Sequence, residues 1–277
     1  MRSMPLEDHA AEREALLRDT FGMTRSQLKA VRSMVNAFKT PITYTAASDS
    51  DIVGEPFIET MANFLAVHHA LHEEPLNKKP FEYIYKQCLI AQGFEANLNS
   101  TPGLHPYDVI GAGTRWSLKT EAAKGISSNQ VKIEKLMEAR WIRDCTTPEA
   151  CCDALKLRLP RHLSGYDRIM VLRAFIGADG LRYVLEEVPI KTLTACIELA
   201  TPEMFSKNKK SPSFGADFYL PNHDARAFRI LFDSSVEKVR LWYARDFCIH
   251  HGTWAMSAPK SPVPDDHTNA SCVGSES

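Results

Sequence analysis

The chain has 277 residues with 44% hydrophobic and 24% charged side chains, enough to bury a substantial core and too apolar for a largely disordered protein. Lys and Arg total 33 against 34 Asp and Glu, a formal net charge of -1, so no overall basic field announces a polyanion partner and any nucleic-acid surface must be local. Seven cysteines without Cys-x-x-Cys spacing argue against a disulfide framework or a structural zinc site.

Apolar residues recur at helical spacing from Leu6 to Phe21, Ser26 to Phe38, Ile52 to Leu71 and Pro80 to Gln92, which predicts a helical N-terminal third. Asn97 to Gly103 reads as a loop. Short β-favouring runs follow at Tyr107 to Ile110 and Thr114 to Lys119, joined through Gly111-Ala112-Gly113 as a hairpin. Ser127 to Cys145 is predicted to return to helix, with a second helix from Pro148 to Leu159. Arg168 to Ile176 and Leu181 to Val188 flank Gly177-Ala178-Asp179-Gly180 as another hairpin. Pro189 to Leu199 resembles a short helix, Ser206 to Ser213 a basic loop, and Ala227 to Phe232 with Lys238 to Ala244 a further strand pair. The expected organisation is a single domain over 1–257, mainly helical to residue 95 and sheet-containing from 96, with a disordered tail over 258–277. No apolar run approaches the ~18 residues that span a bilayer, and the N-terminus shows no apolar signal core, so a cytoplasmic protein without a membrane partner is expected.

The first hairpin carries the chemistry. Phosphodiester hydrolysis uses divalent ions held by carboxylates, with a cation near the attacking oxygen. An Asp on one strand and an acid-x-Lys on the next bring such groups together, because alternate residues share a face. Here Ser117, Lys119 and Glu121 share one. A two-residue loop, Ala112-Gly113, sets Asp108 opposite Ser117 with Lys119 diagonal to it; a three-residue loop reverses the faces. Ser117 stands where the second acid is expected, leaving Glu121, Glu95 or Glu138 to supply it.

The segment Leu118-Lys119-Thr120-Glu121-Ala122-Ala123-Lys124, then Ile126-Ser127 and Lys135-Leu136-Met137-Glu138, resembles the SmaI-type restriction endonucleases of the PD-(D/E)xK superfamily. The likeness continues in order through Tyr166-Asp167-Arg168-Ile169, Glu187-Val188-Pro189, Phe232-Asp233 and Cys248-Ile249-His250-His251-Gly252-Thr253-Trp254. That family also lacks an acid two residues before its lysine. The resemblance implies an α/β fold with a mixed central sheet flanked by helices, and Mg²⁺-dependent, sequence-specific cleavage of double-stranded DNA. Asp108 and Lys119 match its aspartate and lysine, with Glu121 completing the catalytic set. The metal set is Asp108 and Glu121, with Glu138 or Glu95 as further candidates. A homodimer suits a palindromic site, and a DNA methyltransferase acting on the same site is the expected functional partner. The rival readings are a nicking, repair or defence nuclease without strict site specificity, and a catalytically silent DNA-binding protein.

Further candidates for DNA contact are Lys207, Lys209 and Lys210 in the basic loop, His250 and His251 near Trp254, and Lys124 with Ser127 at the start of the predicted 127–145 helix. His68 and His69, adjacent on a helix, face different directions and are assigned no chemistry.

Overall fold

The computed structural model describes residues 9–100, 106–206, 213–221 and 223–257. Four helices lie in the first hundred residues: α1 (Ala10–Asp19), α2 (Arg25–Phe38), α3 (Glu55–Leu71) and α4 (Lys78–Ala91). Each later start has a local cause: Thr24 and Gln27 form a reciprocal capping box on α2, Pro56 sits in the first turn of α3, and the Asn77 side chain accepts from the Lys79 amide on α4. Strand β1 (Ile42–Ala46) intervenes between α2 and α3, a strand that helical periodicity on either side hides.

The strands of the main sheet are β1, β2 (Ala96–Leu98), β3 (Val109–Gly111), β4 (Thr114–Glu121), β6 (Arg168–Gly177), β7 (Gly180–Val188) and β12 (Ile249–Ser257). They form a seven-stranded mixed sheet in the order β1-β12-β7-β6-β4-β3-β2, in which β4 and β6 run parallel. A second sheet of five strands, β5 (Gln130–Glu138), β11 (Lys238–Ala244), β10 (Arg226–Asp233), β9 (Ser213–Tyr219) and β8 (Ala200–Ser206), is antiparallel throughout. Helix α5 (Pro148–Leu163) begins at a Thr147 cap, and the short α6 (Ile190–Ala195) follows β7.

The main sheet is buried on both faces. Trp116, Leu118, Met170, Leu172 and Leu185 pack with Phe57, Leu65, Tyr85 and Leu89 of α3 and α4. Ile169, Val171 and Val188, on the opposite face, join a separate core with α5 and the second sheet. This mixed α/β architecture, with a helical N-terminal part, agrees with the expected fold class. The β1–β12 pairing ties the N-terminal third into the same sheet as the C-terminal strand.

The hairpins at 168–188 and 226–244 and the helix at 148 form where expected. The predicted 127–145 helix does not. Gln130–Glu138 is strand β5, and Arg140–Asp144 is a short 3-10 turn. Val131 and Ile133 alternate as in a strand, but a bulge shifts the register from Leu241↔Ile133 to Val239↔Met137, so Leu136 and Met137 are also buried. Apolar positions at 131, 133, 136 and 137 then mimic a helical stripe in a segment rich in Glu and Lys. Lys124 and Ser127 therefore sit in a loop and do not open a helix. The tail over 258–277 and the loop carrying Lys207, Lys209 and Lys210 lie outside the described residues.

Candidate active site

The hairpin between β3 and β4 pairs Gly111 with Thr114, Ile110 with Arg115 and Val109 with Trp116. Its loop is Ala112-Gly113, with φ of 54° and 70°, the left-handed pair that a two-residue primed turn requires. The paired register runs as far as Val109 opposite Trp116, and next to it the Asp108 amide donates to the Trp116 carbonyl at 2.8 Å. Asp108 Oδ2 accepts from the Leu118 amide at 2.7 Å, and its Oδ1 accepts from Lys78 Nζ at 2.9 Å. The carboxylate is thus held against β4 by one oxygen and against α4 by the other.

Lys119 donates to Ser117 Oγ at 2.9 Å, so the serine in the position of the missing acid orients the lysine. Burial pushes the Lys119 ammonium down to about 8. Lys78 and Lys135 add to this effect, while Asp108 and Glu82 oppose it. Both acids are therefore close enough to act on Lys119 through space.

Glu82 is a further buried acid near Lys119, one that inspection of the hairpin could not supply. It is buried on the apolar stripe of α4 among Phe81, Tyr85 and Leu89, and its Oε1 lies 3.7 Å from Lys78 Nζ. Its Oε2 accepts from Lys79 at 2.7 Å. The sequence signal for it was an acid on the buried side of an amphipathic helix, where a carboxylate needs a partner.

The other candidate acids lie elsewhere. Glu121 is buried with Oε2 2.7 Å from Arg173 Nε, and among the described residues its Oε1 has no hydrogen-bond partner. Burial raises its carboxyl against the pull of Arg173. Arg173 is fully buried and also reaches Glu186 and the carbonyls of Ser127 and Gln130, which ties Glu121 into a polar knot beneath the sheet. Glu138 is exposed and paired with Lys135 at 2.6 Å. Glu95 is exposed, and it is its backbone carbonyl that meets the hairpin, accepting from Ala112 at 3.3 Å.

His251 is fully buried between Ser50 Oγ, 2.8 Å from its Nδ1, and Glu187 Oε2, 3.2 Å from its Nε2. Its surroundings are those of a structural side chain with no face open to DNA. His250 is half-buried, and burial lowers its imidazole. Lys124 is exposed, and the Ser127 hydroxyl accepts from the Asn129 amide within its loop.

Lys119 opens into a cleft of about 780 Å³ between β4 and β5, closed on one side by α5. Lys78, Lys119, Lys135, Arg158, Arg161 and His162 contribute its basic groups. The acids on its wall are already engaged, Glu138 with Lys135 and Glu134 with Arg240. A local basic surface therefore exists on a chain whose net charge is near zero.

A magnesium ion is commonly held by one or two carboxylates completed by phosphate oxygens and water. Among the described residues no group of three or more His, Cys, Asp or Glu is placed to hold a metal. Asp108 and Glu82, which converge on the single ammonium of Lys78, fit an ion that a DNA phosphate completes.

The family model for SmaI, a type II site-specific deoxyribonuclease, matches residues 17–256. The chain belongs to this family of DNA-cleaving hydrolases. It is 30% identical over 231 residues to the type II restriction enzyme SmaI of Serratia marcescens, covering 81% of this chain and 89% of that protein. No solved structure matches the chain. Among the described residues no helix is long and apolar enough to cross a membrane.

Proposed function

We propose that this restriction endonuclease hydrolyses both strands of a short duplex site with Mg²⁺, at a PD-(D/E)xK-type centre formed by Asp108, Glu82 and Lys119. The observation that carries this reading is that one two-residue hairpin sets Lys119 on the wall of a basic cleft, with Asp108 bound beside it to the Leu118 amide and to Lys78 of the same cleft wall. Asp108 and Glu82 would hold the ion, and Glu82 is preferred over Glu121 because it shares the Lys78 ammonium with Asp108, whereas Glu121 is held by the fully buried Arg173. When bound, the ion supplies an acidified water and neutralises charge on the phosphate. Lys119, with its depressed affinity for a proton, orients the attacking water and helps to take its proton. Ser117 fixes the lysine by its hydroxyl, a task that needs no second acid at that position.

A palindromic site is read by a homodimer, and the host DNA is protected by a methyltransferase of the same specificity in the cytoplasm. Digestion of unmethylated phage DNA with and without Mg²⁺ tests the reading. Defined fragments that require Mg²⁺ and vanish in Lys119→Ala are expected. A smear, single nicks or metal-independent cleavage would contradict it.

A further inference from the structure

The arginines that follow β4 are mostly engaged with carboxylates. Arg168 is paired with Asp51 and Glu187, Arg173 with Glu121 and Glu186, Arg229 with Asp217, and Arg245 with Glu186. Arg158 and Arg161 differ. Both are exposed, and among the described residues neither has a carboxylate within ion-pair distance. Three residues apart on α5, they share the side of the helix that faces the cleft, while Cys151, Leu155, Leu159 and Leu163 bury the other side in the core. The Arg158 guanidinium lies 5.4 Å from the centre of the Trp141 ring, and its Nη1 donates to the Ala154 carbonyl at 3.3 Å. Stacking on an aromatic face restrains a side chain that otherwise loses much freedom on binding.

His162, next to Arg161, donates from Nε2 to the Leu136 carbonyl, 3.0 Å away, and burial together with the Lys119 charge lowers its affinity for a proton. That side of α5 therefore reaches the immediate surroundings of Lys119. Two guanidinium groups without acids, on a rigid helix beside the candidate scissile position, match the fork geometry that phosphodiester oxygens accept.

We propose that Arg158 and Arg161 form a phosphate clamp, binding backbone phosphates that flank the one being cleaved and so setting the position of the DNA strand over Lys119. The clamp rests on the reading of this cleft as the DNA-cleaving site. It carries no base specificity, because it grips the backbone alone. Arg182 is the natural control: it is exposed and likewise lacks a carboxylate among the described residues, but it lies on β7 against Phe175, outside the cleft.

The test is fluorescence anisotropy of a labelled mixed-sequence DNA duplex in EDTA across a salt series, with the full-length chain and its Arg158→Ala, Arg161→Ala and Arg182→Ala variants. Each clamp variant is expected to lose about tenfold in affinity at low salt and to flatten the log-log salt slope by about one, with thermal midpoints like the parent's. Arg161→Lys keeps the slope and loses affinity, since the charge remains and the fork does not. Parental affinity and slope in both alanine variants overturn the clamp while leaving the nuclease reading intact. An equal effect in Arg182→Ala overturns it too, because the interaction is then a diffuse field. Failure of the parent protein itself to bind or cut DNA overturns the nuclease reading beneath it.

Discussion

Lys78 is ion-paired with Asp108 at 2.9 Å, through the one carboxylate oxygen that the Leu118 amide does not use. The same ammonium stands 3.7 Å from Glu82, so a helix cation neutralises the two acids assigned to the metal. A divalent ion and Lys78 then compete for the same oxygens. Lys78→Ala is expected to lower stability in EDTA, read as a lower thermal midpoint, by no more than about 1 kcal/mol for a pair with a half-exposed lysine. It should also increase the stabilisation that Ca²⁺ or Mg²⁺ confers. Calorimetric titration showing unchanged or weaker metal binding in the variant would refute the competition.

The depressed proton affinity of Lys119 gives the reaction a pH dependence with a definite sign. Its folded value of about 8 lies below the ordinary 10.5 of a lysine, so the neutral amine grows as pH rises through 8. If that amine assists the attacking water, log kcat/KM should climb with pH and level off near 8. Lys119→Arg, charged throughout, should flatten the rise and cost about 10²–10⁴ in rate. The same shift makes the charged lysine a burden on the fold, a burden relieved as pH rises from about 8 towards 10.5. A parental profile that falls between pH 6 and 8 would assign Lys119 a different role.

Glu82 and Glu121 are separable by what fails when each loses its charge. Glu82→Gln should lower cleavage by about 10³, the order seen when one electrostatic group of an active site is removed, and leave DNA binding intact. Glu121→Gln removes a partner from the fully buried Arg173, and broken buried pairs cost about 3–5 kcal/mol. Its signature is a lowered thermal midpoint with cleavage retained at permissive temperature. The opposite pattern, a stable and inactive Glu121→Gln beside an active Glu82→Gln, would transfer the metal site to Glu121.

His251, buried against Ser50 and Glu187, should matter for folding and not for DNA affinity. His251→Ala leaves Glu187 with one fewer donor beside Arg168 and opens a cavity, for a cost of about 2–4 kcal/mol. Denaturant melts should register the loss while the salt slope of DNA binding stays parental. A flattened slope with undiminished stability would instead place the imidazole on the DNA.

The chain itself determined the hairpin. Ala112-Gly113 selects a primed two-residue turn, strand parity then sets Val109 opposite Trp116 with Asp108 next in the chain, and alternation puts Ser117 and Lys119 on one face. These are rules of nearest neighbours and short spacings, and they survive without knowledge of the rest of the molecule. The same rules failed over Gln130–Glu138, where a bulge against β11 disguised a strand as a helix. They also could not distinguish Glu82 from Glu121. Alternation alone groups Glu121 with Lys119, but only the parallel pairing of β4 with β6 brings Arg173 beside it and engages it. Only the packing of α4 on the sheet carries Glu82 and Lys78 towards Asp108 from some thirty residues upstream in the chain. A carboxylate's role is decided by the charges that reach it, and those arrive through long-range contacts that no local periodicity encodes.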